Sequence, residues 1–187
     1  KQDFLIGVYS IGNILKFTKY TERLIVSYTE EDQPIYNDQI QRNLENSRVQ
    51  KIADFLINDP DATFPTNIVL HIPQEVIKQY DVLDSRVSIL LENKVFSEIE
   101  KEKGDVFISI IDGQHRIRGI EVAIERLKSD IEILSKTLRK SDSENLSKKL
   151  DYYSNRLIDL LDIELVVTFF IDKTLEYQAM IFSTINR

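Results

Sequence analysis

The stretch Val106-Phe107-Ile108-Ser109-Ile110-Ile111-Asp112-Gly113-Gln114-His115-Arg116-Ile117-Arg118-Gly119 decides how this chain is read. Its first six residues are apolar apart from one serine, the pattern of a strand buried on both faces. Gly113 permits a tight or left-handed turn. A helix is predicted from Gln114 onward. Its first N–H groups have no intrahelical partner and carry partial positive charge, which makes the turn a natural anion site. Arg116 lies in the first turn and can add a bidentate contact to phosphate. Gln114 and His115 add two more donors, Arg118 projects to another side, and Gly119 lets the helix approach the sheet closely. Asp112 has two readings: a cap that accepts from the N–H groups of residue 114 or 115, or a group that holds a divalent cation or orients water. One histidine beside one aspartate is a weak metal pattern, so His115 reads first as a hydrogen-bonding residue.

Working outward, Leu127, Ile131, Leu134 and Leu138 continue the helix to about Lys140 in alternating steps of four and three. Leu146, Leu150, Tyr153, Leu157 and Leu160 repeat the rhythm, with Ser141 to Glu144 between them as a capping-box pattern. The result is an antiparallel helical hairpin with a coiled-coil-like seam, over about 127–160. It reads either as a structural arm or as a surface for dimerisation or partner docking. Strands are predicted at Phe4–Tyr9, Leu24–Tyr28, Asn67–Ile72, Val87–Leu91 and Ile163–Ile171. Gly12-Asn13 and Lys103-Gly104-Asp105 read as turns and Asp32–Ile40, with Pro34, as a loop. Asn46–Ile57 reads as a helix capped by Asn46 or Ser47, and Thr174–Ile185 as a closing helix. The order of elements predicts one mixed α/β domain, a mixed sheet with flanking helices. His71, at a strand end, has no catalytic role in this reading, and Arg48 pairs with Glu45 across one helical turn.

Composition narrows the function. A chain of 187 residues supports one sizeable core. The net charge of −7 argues against DNA binding through a broad basic face but leaves a local basic site open. The absence of cysteine removes structural disulfides and thiolate metal sites and fits a cytoplasmic setting. No signal peptide and no bilayer-length apolar run is evident, so no membrane association is expected. The opening on Lys1 and the stop at Arg187 within a helical pattern read as a piece of a longer chain, with a further C-terminal part expected.

Asp112-Gly113-Gln114-His115-Arg116 with Gly119 resembles the motif of the DGQHR-domain family, which includes DndB-like proteins associated with DNA phosphorothioation. Gln41-Arg42 with Arg48, Ile52 and Leu56 looks like that family's arginine-bearing helix. Phe64-Pro65 before Ile68-Val69-Leu70, and Val166–Phe170 followed by Gln178, Phe182 and Ile185-Asn186, look like its later segments. The likeness covers roughly Phe4 to Arg187, with the helical hairpin as an insertion. The family is similar in turn to the ParB/sulfiredoxin superfamily, in which an arginine-bearing turn contacts nucleotide phosphates. Relatives with a second glutamine at the position of His115 are nucleotide hydrolases coupled to DNA restriction.

The resemblance implies a DNA-associated regulatory protein of a DNA-modification or defence system. Its turn would bind a nucleoside triphosphate, ATP first among them, with Mg²⁺. Gly113, Gln114, His115, Arg116, Arg42 and Asn186 would contact the phosphates. Asp112 and His115 would be catalytic if chemistry takes place, with Asp112 on the metal. DNA, other proteins of the modification system and a second copy bound through the hairpin would be its partners. The alternatives are an NTPase or ParB-type nuclease, and a non-catalytic interaction module.

Overall fold

The computed structural model describes residues 4–31, 33–37, 44–140 and 143–185. Its order is β1 (Leu5–Ser10), α1 (Ile11–Ile14), β2 (Leu24–Tyr28), β3 (Pro34–Asn37), α2 (Asn46–Asn58), β4 (Ile68–Ile72), β5 (Ile77–Leu83), β6 (Arg86–Leu91), α3 (Asn93–Ile99), β7 (Ser109–Asp112), α4 (Gln114–Leu138), α5 (Glu144–Asp162), β8 (Glu164–Ile171) and α6 (Leu175–Ile185). Four strands form one mixed sheet in the order β1-β8-β4-β7. The β8–β4 pair is parallel, and the β1–β8 and β4–β7 pairs are antiparallel. β2–β3 and β5–β6 are separate hairpins. The expected mixed α/β class is what the chain adopts.

Alternation along the strands divides the apolar residues between two faces. Ile68, Leu70 and Ile72 of β4, Ile110 of β7, and Leu165, Val167 and Phe169 of β8 enter the main core with residues of α2, α4 and α5. Val69 and Ile111 point the other way and meet Ile181 of α6. All five β4 residues are buried, which explains its unbroken apolar run. The α2–α4 contact is close because Gly119 has no side chain: a Cβ there would lie 2.4 Å from Cγ2 of Ile52. The helical hairpin forms as its periodicity predicts, with Leu127, Leu134 and Leu160 buried in its seam.

Several local expectations are corrected. Gly12 and Asn13 lie within α1, whose N-cap Ser10 accepts from the Asn13 N–H, rather than in an open turn. The supposed loop after Asp32 contains β3, and Pro34 occupies its first position, where the missing N–H is tolerated. Residue 45, not Asn46 or Ser47, is the N-cap of α2, and it makes no side-chain cap bond. Ser143 is the N-cap of α5, so the box proposed from Ser141 does not start that helix; Ser141 itself is outside the described residues. Only Ser109–Asp112 joins the sheet, although Val106, Phe107 and Ile108 are buried ahead of it. β5 and α3 carried no clear periodic signal: six of the seven β5 residues are exposed, and α3 buries Val95 alone. The β5–β6 turn passes through Asp84 at φ 53°, a left-handed position that aspartate accepts more readily than most residues.

Arg156 ties the second layer together. It is 4% exposed, and its Nε and Nη2 donate to the Leu56 carbonyl at 2.7 and 2.5 Å. Nη2 also reaches the Asp59 carbonyl at 2.6 Å, and Nη1 the Pro60 carbonyl at 3.3 Å. The buried cation thus lies over the C-terminal end of α2, where unpaired carbonyls and the helix dipole favour positive charge.

Candidate functional site

The strand–turn–helix unit forms where the sequence places it. β7 ends at Asp112, which is opposite Val69 of β4, and α4 starts at Gln114. Gly113 is the N-cap, at φ 102°. That left-handed geometry strains any side chain, and a Cβ would also press within 2.7 Å of Cδ1 of Ile68. Both constraints require glycine at the centre of the motif.

Asp112 does not cap the helix; α4 has no side-chain cap bond. Its Oδ2 instead accepts from Nη2 of Arg116 at 2.8 Å, one turn on. The other branch of the guanidinium crosses to the segment before β4, where Nη1 donates to the Thr66 carbonyl at 2.7 Å and to Thr66 Oγ1 at 2.6 Å. Arg116 and Asp112 are 15% and 20% exposed, so the pair sits at the rim of the core, within reach of solvent. Gln114 folds back, its Nε2 donating to the Ile110 carbonyl at 3.2 Å. His115 reaches across to α2, where its Nε2 accepts from the Glu45 N–H at 3.1 Å. This bond requires the unprotonated form of that nitrogen. Burial, reinforced by the nearby Arg48 charge, holds the His115 pKa below the usual histidine value against the opposing pull of Glu45 and Asp112. Burial likewise lowers the Arg116 pKa, with Arg48 acting in the same direction and Asp112 opposing.

The motif is therefore a clamp joining three segments: the β7–α4 turn, the entry to β4 through Thr66, and the entry to α2 through Glu45. The fold brings together Asp112, Gly113, Gln114, His115 and Arg116. Arg42 and Asn186 lie outside the described residues. Arg118 points elsewhere, to Glu121 and Glu125 at 3.0 Å each. Two contributors went unrecognised in the sequence. Thr66 supplies two of the three hydrogen bonds described for Arg116. Arg48 is exposed, makes no ion pair with Glu45 among the described residues, and is close enough to act electrostatically on both His115 and Arg116. Its place in the stretch that resembles the family's arginine-bearing helix was the available signal.

The site so assembled sets Arg48 and Arg116 beside the first-turn N–H groups of α4, with Asp112 and Glu45 as the carboxylates close to His115. Asp112 is the turn's one carboxylate and is paired with Arg116. No group of three or more histidine, cysteine, aspartate or glutamate side chains is placed to hold a metal ion among the described residues. Elsewhere, His71 is buried and its Nε2 accepts from the Lys173 N–H at 2.8 Å. Burial depresses its pKa to about 4. Beside it, Gln178 bridges Ser109 and the Lys173 carbonyl. These bonds splice β4, β7 and the start of α6.

No described helix is long and apolar enough to cross a membrane. No curated protein and no solved structure matches the chain. A family match does cover residues 5–187, which includes the clamp, the sheet and both arms of the helical hairpin. The chain belongs to the DndB family, whose members are associated with DNA-sulfur modification.

Proposed function

We propose that this protein is a DNA-associated regulatory component of a DNA-sulfur modification system, and that the 112–116 turn binds the phosphates of a nucleotide. The observation that carries this reading is the placing of two guanidinium groups, Arg48 and Arg116, beside the start of α4 on a protein that is acidic overall. A phosphate at that point would face two guanidinium groups and the positive end of a 25-residue helix. Arg48 would reach it directly. Arg116 would contact it by exchanging Asp112 for a phosphate oxygen while keeping Thr66.

Binding is favoured over hydrolysis. Asp112 is engaged by Arg116, and the Nε2 lone pair of His115 is used on a backbone N–H, so neither side chain is poised as a base. Mg²⁺ would arrive with the triphosphate, held mainly by phosphate oxygens and water, with Asp112 as its one carboxylate if Arg116 lets it go. An NTPase reading requires that release. A ParB-like course of the nucleotide across the turn, and DNA as the macromolecular partner, are parts of the same proposal and rest on the motif resemblance.

A thermal-shift screen of ATP, GTP and CTP with and without Mg²⁺ tests it, because a ligand that binds only the native state must raise the melting temperature by mass action. At a concentration a hundredfold above the dissociation constant the gain is about 2.7 kcal/mol. The shift should vanish in Arg48→Ala, whose fold should be unaffected. A nucleotide shift that survives that substitution would remove the site from this turn.

A further inference from the structure

The sheet leaves β1 at its edge, next to β8 alone. Its pairing with β8 runs without a bulge from Leu5 opposite Phe169 to Ser10 opposite Glu164. The parity of the ladder follows from one bond beyond it: the Ile11 N–H donates to the Ile163 carbonyl at 2.9 Å. Odd-numbered residues therefore turn their N–H and C=O groups toward β8, and Ile6 and Val8 turn theirs away from the sheet. Among the described residues, nothing pairs with these outward groups.

Natural edge strands are protected by a charge, a proline, a bulge or a cover. Leu5-Ile6-Gly7-Val8-Tyr9-Ser10 has none of the first three. Ile6 and Val8 are 65% and 59% exposed, and Val166, beside Val8 on β8, is 46% exposed. Phe4 continues the strip and stacks at 5.9 Å on Phe170. A hollow of about 700 Å³ between β1 and β6 keeps the approach to the other side of the edge open.

We infer that this edge pairs with β1 of a second copy of the chain, antiparallel about a two-fold axis at Gly7. The strand is self-complementary in that register. Outward-facing Ile6 meets Val8 of the partner and Val8 meets Ile6, giving an apolar row from Val166 through Val8 across to the other copy. Gly7 meets Gly7 at the closely spaced, non-hydrogen-bonded position, where backbones approach to about 4.5 Å. Two copies of a chain with net charge −7 repel, and this six-residue strip brings no charge to the join. The strand is only about 20 Å long, and a stable interface buries about 800 Å² on each partner. The six-residue join, with Phe4 at its end, falls short of that area, so the dimer is held largely by backbone hydrogen bonds of Ile6 and Val8 and forms only as concentration rises. Two-fold pairing closes on itself, so assembly stops at the dimer.

Sedimentation velocity over a concentration series tests the state, and cysteine pairing tests the register. Wild type should shift from monomer to dimer as concentration rises. Val8→Lys places a charge on the row, and Val8→Pro deletes an outward N–H without touching the β8 ladder; each should raise the dissociation constant at least about tenfold. The chain has no cysteine, so a mixture of Ile6→Cys and Val8→Cys chains should cross-link under mild oxidation, while either variant alone should not. Wild type that stays monomeric, a dimer indifferent to both Val8 variants, or cross-linking equal in all three cysteine samples would each overturn the inference. If the Val8 variants fail to fold, the cysteine mixture decides alone.

Discussion

Arg156 and Arg116 are both enclosed arginines that bond to backbone carbonyls of distant segments, yet their surroundings differ. Arg156 is almost fully buried, and the four bonds described for it run to three carbonyls around the end of α2. Arg116 has one backbone partner, one hydroxyl and one carboxylate, and a second cation, Arg48, stands close by. Arg156 is saturated by groups that cannot leave. Arg116 is held partly by Asp112, a charged side chain that a phosphate can replace at the rim of the core. The contrast separates a cation used to close a fold from one available to a ligand.

The largest effect should come from the first. Arg156→Leu removes charge-assisted bonds and leaves the end of α2 with buried, unpaired carbonyls, so urea denaturation should show a loss of about 3–4 kcal/mol. It should leave intact any nucleotide-induced shift that survives at the lower melting temperature. Acidification should act almost as strongly through His71. Its folded pKa is about 4 against the usual histidine value of 6.5, so the unfolded state takes up the proton first. Stability is full above pH 6.5 and falls as pH drops toward 4, by about 3 kcal/mol in all. In His71→Gln, whose amide oxygen can still accept from Lys173, unfolding curves across that window should show a flatter pH profile.

Arg116→Lys should have a smaller effect. One ammonium cannot span Thr66 and Asp112 as the guanidinium does, so about 1–2 kcal/mol should be lost, and the nucleotide shift should weaken with it. The smallest stability change, within about 0.5 kcal/mol, is expected for Arg48→Ala on an exposed helix face, although it should abolish the nucleotide shift. The comparison between the two arginines breaks if Arg156→Leu and Arg116→Lys impair nucleotide binding equally.

Within residues 106–119 the order strand, turn, helix was legible because its information is local, although only Ser109–Asp112 joins the sheet. An apolar run, a glycine and a helical rhythm specify strand, turn and helix without reference to anything else, and the left-handed Gly113 confirms why glycine is required there. The helical hairpin was legible for the same reason. β5, with Lys78, Gln79 and Asp81 facing solvent, and the short α3 were not, because little of either is buried and neither leaves a periodic trace. Within the site, the residue types were readable and their engagements were not. Asp112 looked like a cap and became the partner of Arg116. Arg48 looked paired with Glu45 and instead stands near His115 and Arg116.

Taken alone, the amino-acid sequence determined the mixed α/β class, the turn with its cationic helix start and the likeness to a DNA-modification family. Periodicity records that a face is buried and a motif records which groups are present. Neither records what meets them. The Thr66 contacts of Arg116, 50 residues away, the Glu45 contact of His115, 70 away, and the hold of Arg156 on the end of α2, about 100 away, exist only once the chain has closed. The sheet order that leaves β1 at the edge is likewise a product of long-range pairing. Such pairings depend on how whole faces pack together, and no local stretch of residues specifies its distant partner.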